Sequence, residues 1–175
     1  MNPKLYWITG PWPGKLAISA RPRGGDWLED EISGWRTAGV DAVVSLLTPD
    51  ENEDLQLVSE ADLAQARGLR FVSLLVEDRG VPSSWDDASR AVEKVGEMLR
   101  QGRNVAVHCR QGIGRSGMIA AALLVRHGNT PDDALKLISE ARGVPVPETP
   151  EQREWVRKFS KRQASAVPLI RASVK

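Results

Sequence analysis

One stretch near the middle of the chain constrains its fold more than any other. Asn104 to His108 reads as a short buried strand around the apolar run Val105-Ala106-Val107, Gln111-Gly112-Ile113-Gly114 breaks it, and Met118 to Val125 is almost wholly apolar. A run apolar on successive positions has no face for water, so it reads as a strand inside a sheet. A helix without a polar face is likewise central to its domain. A buried strand feeding a buried helix requires layers on both sides. The rest of the sequence supplies them.

Leu5 to Thr9 and Lys15 to Ser19 read as strands joined by the turn Gly10-Pro11-Trp12-Pro13-Gly14. Asp26 is placed to cap a helix to about Ala38, whose apolar positions Trp27, Leu28, Ile32 and Trp35 share a face. Val40 to Leu47 and Leu69 to Val76 are apolar strands. Between them, the acidic patch Asp50 to Asp54 reads as a solvated loop or helix start, followed by a helix to about Arg67. Ser83 or Ser84 opens a helix that stops at Gly102, with Ala88, Val92, Val95 and Leu99 on one face. Thr130-Pro131 and Thr149-Pro150 begin two more helices, each with a capping threonine and a proline in the first turn. Strands alternating with helices predict a single α/β domain over residues 1–175, with a central, mainly parallel sheet flanked by helices. The period fades after about Arg162, so 163–175 is expected to be a loose tail.

Bulk properties exclude several classes. A net charge of +1 creates no field toward nucleic acid or membrane, and no run reaches the roughly 18 apolar residues of a membrane helix. With Asn at position 2, no cysteine near Lys175 and no apolar run after Met1, neither a lipid anchor nor a signal peptide is expected. The one cysteine forbids an intrachain disulfide and fits a reducing compartment, so the expected location is the cytoplasm. No His, Cys, Asp and Glu cluster has metal-ligand spacing, so neither a metal nor a cofactor is expected.

The break between strand and helix carries the chemistry. A glycine-containing loop there can curl backbone N–H groups around an anion, with the helix N-terminus adding positive potential. Cys109 opens the loop, where a thiolate is favoured. Arg115 lies six positions later, where its guanidinium fork can take two oxygens of a phosphate. Gly112 and Gly114 permit close approach, and Ser116 can donate a hydrogen bond to the sulfur as it leaves. His108, Cys109, Gly112, Gly114, Arg115 and Ser116 together resemble the signature of cysteine-dependent protein tyrosine phosphatases, in their dual-specificity branch. A cysteine-to-arginine spacing alone is a weak signal, and six coincident positions between apolar elements are a strong one. The motif lies past the middle of the chain, as in the dual-specificity branch. The resemblance spans about Leu5 to Phe159, with only the two loops around Cys109 and Asp78 specific.

The resemblance implies residues 110–115, namely Arg110, Gln111, Gly112, Ile113, Gly114 and Arg115, as the phosphate cradle. It implies that His108 orients the loop backbone and supports the thiolate. It also implies an aspartate about thirty residues before the cysteine as general acid, and Asp78 is 31 positions before Cys109. Glu77 is the neighbouring competitor, while Asp86 and Asp87 read as first-turn carboxylates of a helix. Trp12-Pro13-Gly14 mimics a tryptophan-proline acid loop without its aspartate, and is expected only as a turn near the pocket entrance. Gln152 is a candidate for placing the attacking water, with an equal reading as the partner of Thr149 in a capping box. Arg21 and Arg23 read as solvated, and His127 as an exposed residue at a helix end.

The implied reaction is hydrolysis of phosphotyrosine, with phosphoserine and phosphothreonine, in a phosphorylated protein partner, through a cysteinyl-phosphate. A chain of this length has little room to deepen the pocket, which favours dual specificity. Rivals within the class are phosphoinositides and RNA 5′-triphosphates, whose enzymes carry more basic loops. Rivals outside it are a phosphate-binding non-catalytic module and a rhodanese-type sulfurtransferase. The first typically loses the cysteine or the acid, and the second needs neither Asp78 nor Arg115-Ser116.

Overall fold

In the computed structural model, which describes residues 3–166, the strands are β1 (Tyr6–Ile8), β2 (Leu16–Ala20), β3 (Ala42–Ser45), β4 (Arg70–Ser73) and β5 (Val105–Cys109). They form one sheet in the order β1-β2-β5-β3-β4. Only β1 runs antiparallel, so the sheet is mainly parallel, as the alternation of strands and helices requires. Parallel neighbours need helical crossovers, and those cover both faces. The helices are α1 (Leu28–Thr37), α2 (Pro49–Asp54), α3 (Glu60–Ala66), α4 (Trp85–Arg100), α5 (Arg115–Arg126), α6 (Pro131–Arg142) and α7 (Pro150–Ala166).

β5 sits between β2 and β3 and is buried along its whole length. Successive side chains of a strand point to opposite faces. Val105, Val107 and Cys109 therefore join the larger apolar cluster, with α4, α5, α6 and α7. Ala106 and His108 face the smaller one, built by α1, α3 and β3. α5 is buried from Arg115 to Val125, as its composition requires. It packs beneath β5, α6 and α7, which fixes its N-terminus at the end of β5.

Four expectations about elements change. Asp26 does not cap α1 but lies in a short 3-10 turn, Gly25–Trp27, ahead of it. The acidic segment takes the helix-start alternative, but as a helix of its own, α2, opened by a capping box of Thr48 and Glu51, and the helix after it, α3, begins only at Glu60. α7 continues through Ala166, so 163–166 belongs to a helix, and the rest of the expected tail lies outside the described residues. His127 is half-buried, its Nδ1 2.8 Å from the Leu123 carbonyl and its ring edge-on to Trp12.

Candidate active site

β5 ends on Cys109 and α5 begins on Arg115, so residues 110–114 must turn the chain through a tight arc over the C-terminal end of the sheet. Gly112 makes the arc possible. Its φ is +70°, and a Cβ there would lie 2.5 Å from the Ser19 carbonyl carbon and 2.6 Å from the Ala20 nitrogen. The arc thus leans on β2, and the Arg21 N–H reaches the Arg110 carbonyl at 3.4 Å. Gly114 precedes α5 without a capping side chain, and a Cβ there would meet Glu148 and Gln152 at about 3 Å. Ile113 is half-buried against the core.

Cys109 is 3% exposed, its Sγ 3.3 Å from Ser116 Oγ. The site cavity, of about 230 Å³, is lined by Asp78, Arg79, Cys109, Arg110, Gln111, Gly114, Arg115 and Glu148. Sequence positions 78, 109, 115 and 148 therefore converge on one pocket. Asp78 is half-exposed and accepts a hydrogen bond from Arg115 Nη2 at 3.1 Å. Glu77 points out to solvent, and its carbonyl takes the Gly80 N–H. In the first turn of α4 the Asp87 N–H donates to the capping Ser84 hydroxyl and the Asp87 carboxylate pairs with Arg90 at 2.5 Å, and neither it nor its neighbour Asp86 lines this pocket. Arg110 is exposed at the pocket rim. Arg21 and Arg23 are occupied locally, Arg21 with the Pro22 carbonyl and Arg23 with Glu31.

Arg115 is 2% exposed, and a carboxylate that the sequence did not single out holds it. Glu51 binds its guanidinium at both ends, Nη1 to Oε2 at 2.7 Å and Nη2 to Oε1 at 2.9 Å. The carbonyls of Val76 and Leu46 take further bonds from Nη1 at 2.8 and 3.4 Å. Nε donates to nothing among the described residues, so that N–H and the Nη2 edge shared with Asp78 are what Arg115 offers a ligand. Burial, the largest influence on Glu51, raises its pKa. The hydrogen bond from Arg115, the Thr48 backbone N–H and the charges of Arg115 and Arg110 outweigh it and hold the carboxyl below its ordinary value. Burial likewise pulls Arg115 down, but its bond to Glu51 and the charges of Cys109, Glu51 and Asp78 raise it, so it stays cationic. The acidic patch is thus not simply solvated. Its sequence signal was Thr48-Pro49-Asp50-Glu51, a capping box that turns Glu51 back toward the protein.

Three further expectations change. The His108 ring makes no hydrogen bond to the loop backbone: Nε2 is 2.8 Å from Glu60 Oε1, and the ring lies against Trp35 on the opposite face of the sheet. Strand alternation explains the change, since a residue adjacent to Cys109 must face away from it. Trp12 does not line the entrance. It is buried against His127, and the neighbouring Gly14 bonds to Leu99, near the N-terminal end of β5 and far from Cys109. Gln152 is fully buried, with its amide used on both sides. Oε1 accepts from the N–H groups of Glu148 and Thr149, and Nε2 donates to the Gly80 carbonyl at 3.0 Å. The capping-box reading is realised, and it ties α7 to the loop that carries Asp78. Arg79 adds a second tie, to Glu148 at 2.9 Å, from a backbone at φ +59°.

No group of three or more His, Cys, Asp and Glu side chains among the described residues is arranged to hold a metal ion. No helix among them is long and apolar enough to cross a membrane.

Comparison with known proteins bears on the family and the fold. Residues 19–129 match the family model Tc-R-P, described as a polymorphic toxin system DSP-PTPase phosphatase. Protein tyrosine phosphatase PRL-1 of Leishmania major is 29% identical over 138 residues, covering 67% of this chain and 78% of the relative. Cyclin-dependent kinase inhibitor 3 of Rattus norvegicus is 25% identical over 143 residues, covering 79% of this chain and 66% of the relative, just under two thirds of its length. Among solved structures, Tk-PTP in its active form superposes with a TM-score of 0.75 at 28% identity, over 93% of this chain and 99% of that one. Kinase associated phosphatase has the same fold, with a TM-score of 0.84 at 18% identity, over 95% of this chain and 99% of that one.

Proposed function

From the premise that this chain belongs to the DSP-PTPase phosphatase family of polymorphic toxin systems, and is a cysteine-dependent phosphatase, we propose that it hydrolyses phosphate monoesters on protein side chains, phosphotyrosine first and phosphoserine and phosphothreonine with it. The observation that carries this reading is the convergence of Cys109, Arg115 and Asp78 on one pocket, with Asp78 3.1 Å from the guanidinium.

The Cys109 thiolate attacks phosphorus, forming a P–S bond as the P–O bond to the leaving group breaks. Arg115, through Nε and Nη2, and the N–H groups of residues 110–115 take the equatorial oxygens, where charge concentrates in the transition state. Asp78, protonated, gives its proton to the leaving oxygen. In the second step Asp78, now a carboxylate, takes a proton from water as the water oxygen attacks phosphorus. The P–S bond breaks, inorganic phosphate leaves, and the sulfur departs as thiolate beside Ser116 Oγ. Glu51 acts through Arg115 and touches no reacting atom. Gln152 has both amide atoms committed to the protein, which supports a role in holding the Asp78 loop rather than placing water.

The pocket charges favour a monoester. Arg79 is paired with Glu148, Arg115 with Glu51 and Asp78, and among the described residues Arg110 is the one cation of the lining with no carboxylate closer than 3.9 Å. So balanced a pocket is a poor match for a triphosphate or a multiply phosphorylated headgroup. The test is a panel of phosphotyrosine, phosphoserine and phosphothreonine peptides beside phosphoinositides and a 5′-triphosphorylated RNA, at fixed enzyme concentration without metal. Phosphotyrosine peptides are expected to give the highest kcat/KM. A higher value on inositide or RNA would replace the protein reading.

A further inference from the structure

We infer that Arg142, at the end of α6, is a positioning residue for the reaction: from outside the phosphate loop it orients two peptide planes so that their N–H groups face the substrate anion. The inference rests on the proposed use of residues 110–115 as an oxyanion cradle.

The geometry is a fork. Arg142 Nε donates to the Gly112 carbonyl at 2.9 Å, and Nη2 donates to the Gln111 carbonyl at 3.3 Å. One planar guanidinium therefore reads two consecutive carbonyls, which a single point charge on a flexible stem does not do. In a trans peptide the C=O and the next N–H point in opposite directions within one plane. Fixing the Gln111 carbonyl toward Arg142 thus turns the Gly112 N–H away from it, and fixing the Gly112 carbonyl does the same for the Ile113 N–H. The Arg21 N–H on the Arg110 carbonyl acts likewise on the Gln111 N–H. Three successive planes are set from behind, and Arg142 is not itself among the pocket residues. The N–H groups of Gln111, Gly112 and Ile113 donate no hydrogen bond among the described residues. Gly112 is buried and Ile113 half-buried, and successive N–H groups left without a protein partner on one arc form an anion-binding concavity.

The guanidinium is itself held. Its carbon lies 4.1 Å from the centroid of the Tyr6 ring on β1, a cation–π stack that leaves the in-plane N–H groups free to point at the loop. Gly143 follows in the left-handed conformation and ends α6 at this point. The antiparallel edge strand, otherwise remote from the chemistry, thereby acquires a task. It backs the arginine that backs the loop.

Removing an oxyanion donor outright costs roughly 10²–10³-fold in rate, and misorienting one costs less. Arg142→Met, which keeps the apolar stem over Tyr6, is expected to lower kcat/KM on para-nitrophenyl phosphate by about tenfold. It should also raise the inhibition constant of inorganic phosphate by a similar factor. Arg142→Lys retains the charge but cannot span two carbonyls, so it should fall between Met and wild type on both readouts. Arg70→Ala removes a cation from the exposed edge of β4 and serves as the control for net charge. Turnover by the wild type in the same assay tests the phosphatase reading separately. Two results would overturn the inference. One is folded Arg142→Met and Arg142→Lys enzymes with wild-type kcat/KM and phosphate inhibition. The other is a loss of kcat/KM with phosphate inhibition unchanged, because the defect would then not lie in the cradle. If the methionine variant fails to fold, the lysine variant decides by the same two readouts.

Discussion

Cys109 and His108 are neighbours on β5, yet they face opposite sides of the sheet, and each side holds its own buried glutamate. On the Cys109 side, Glu51 from α2 grips Arg115 at the pocket floor. On the other side, Glu60 from α3 meets His108 under Trp35, with both partners almost fully buried. The ingredients match, a carboxylate against a nitrogen base in each case. The surroundings differ. Arg115 keeps one N–H and one shared edge open to the cavity, whereas the His108 pair is closed off from it. On the function proposed above, one strand thus divides its work by alternation, with one face acting on a ligand and the other holding the fold.

That contrast can be broken or sharpened by substitution. The largest effect is expected at the open side. Asp78→Asn should lower kcat by about 10²–10⁴-fold on a poor leaving group such as an alkyl phosphate, and far less on para-nitrophenyl phosphate. Equal losses on both would remove Asp78 as the acid.

Glu51→Gln comes next. Breaking a buried ion pair costs about 3–5 kcal/mol, visible in urea titrations, and the loosened Arg115 should lower kcat/KM as well. The pH dependence adds a signature. The folded-state pKa of Glu51 is depressed from the ordinary 4.5, so its contribution is fully present above that value and is lost as pH falls below it. Wild type should therefore lose more stability than Glu51→Gln between pH 6 and acid pH. Parallel stability curves would contradict the assignment.

The smallest effect on activity is expected on the closed side. Glu60→Ala leaves His108 Nε2 without its partner, which costs about 1–3 kcal/mol of stability. Below its melting transition it should keep kcat/KM within about threefold, a factor worth less than 1 kcal/mol. If Glu60→Ala lost activity as steeply as Glu51→Gln, the division between faces would be wrong.

Much of this was legible in the chain. The apolar run into Cys109 and the apolar helix after it fixed a layered α/β domain, because neither can be placed at a surface. Cys109 and Arg115 stood out because their spacing around a glycine loop is a short-range constraint, whereas Asp78 was reached only through the family resemblance; the structure brings all three to one cavity. Glu51 was not legible. It lies in Asp50 to Asp54, which looks solvated, and its partner is 64 residues away across the sheet. Only the capping-box pattern hinted that its side chain turns inward. The resemblance implied that the His108 ring orients the loop, but strand alternation sends it to the other face of the sheet, onto Glu60. Arg142 carried no local signal, since a basic residue before Gly143 reads as a helix end.

The central claim is tested most directly by hydrolysis of para-nitrophenyl phosphate in the presence of chelator and reductant, wild type against Cys109→Ser. The account predicts wild-type turnover unaffected by chelator and a loss of roughly 10⁴-fold or more in the serine enzyme, whose fold is retained. Turnover that survives in Cys109→Ser, or that chelator abolishes in the wild type, would contradict it.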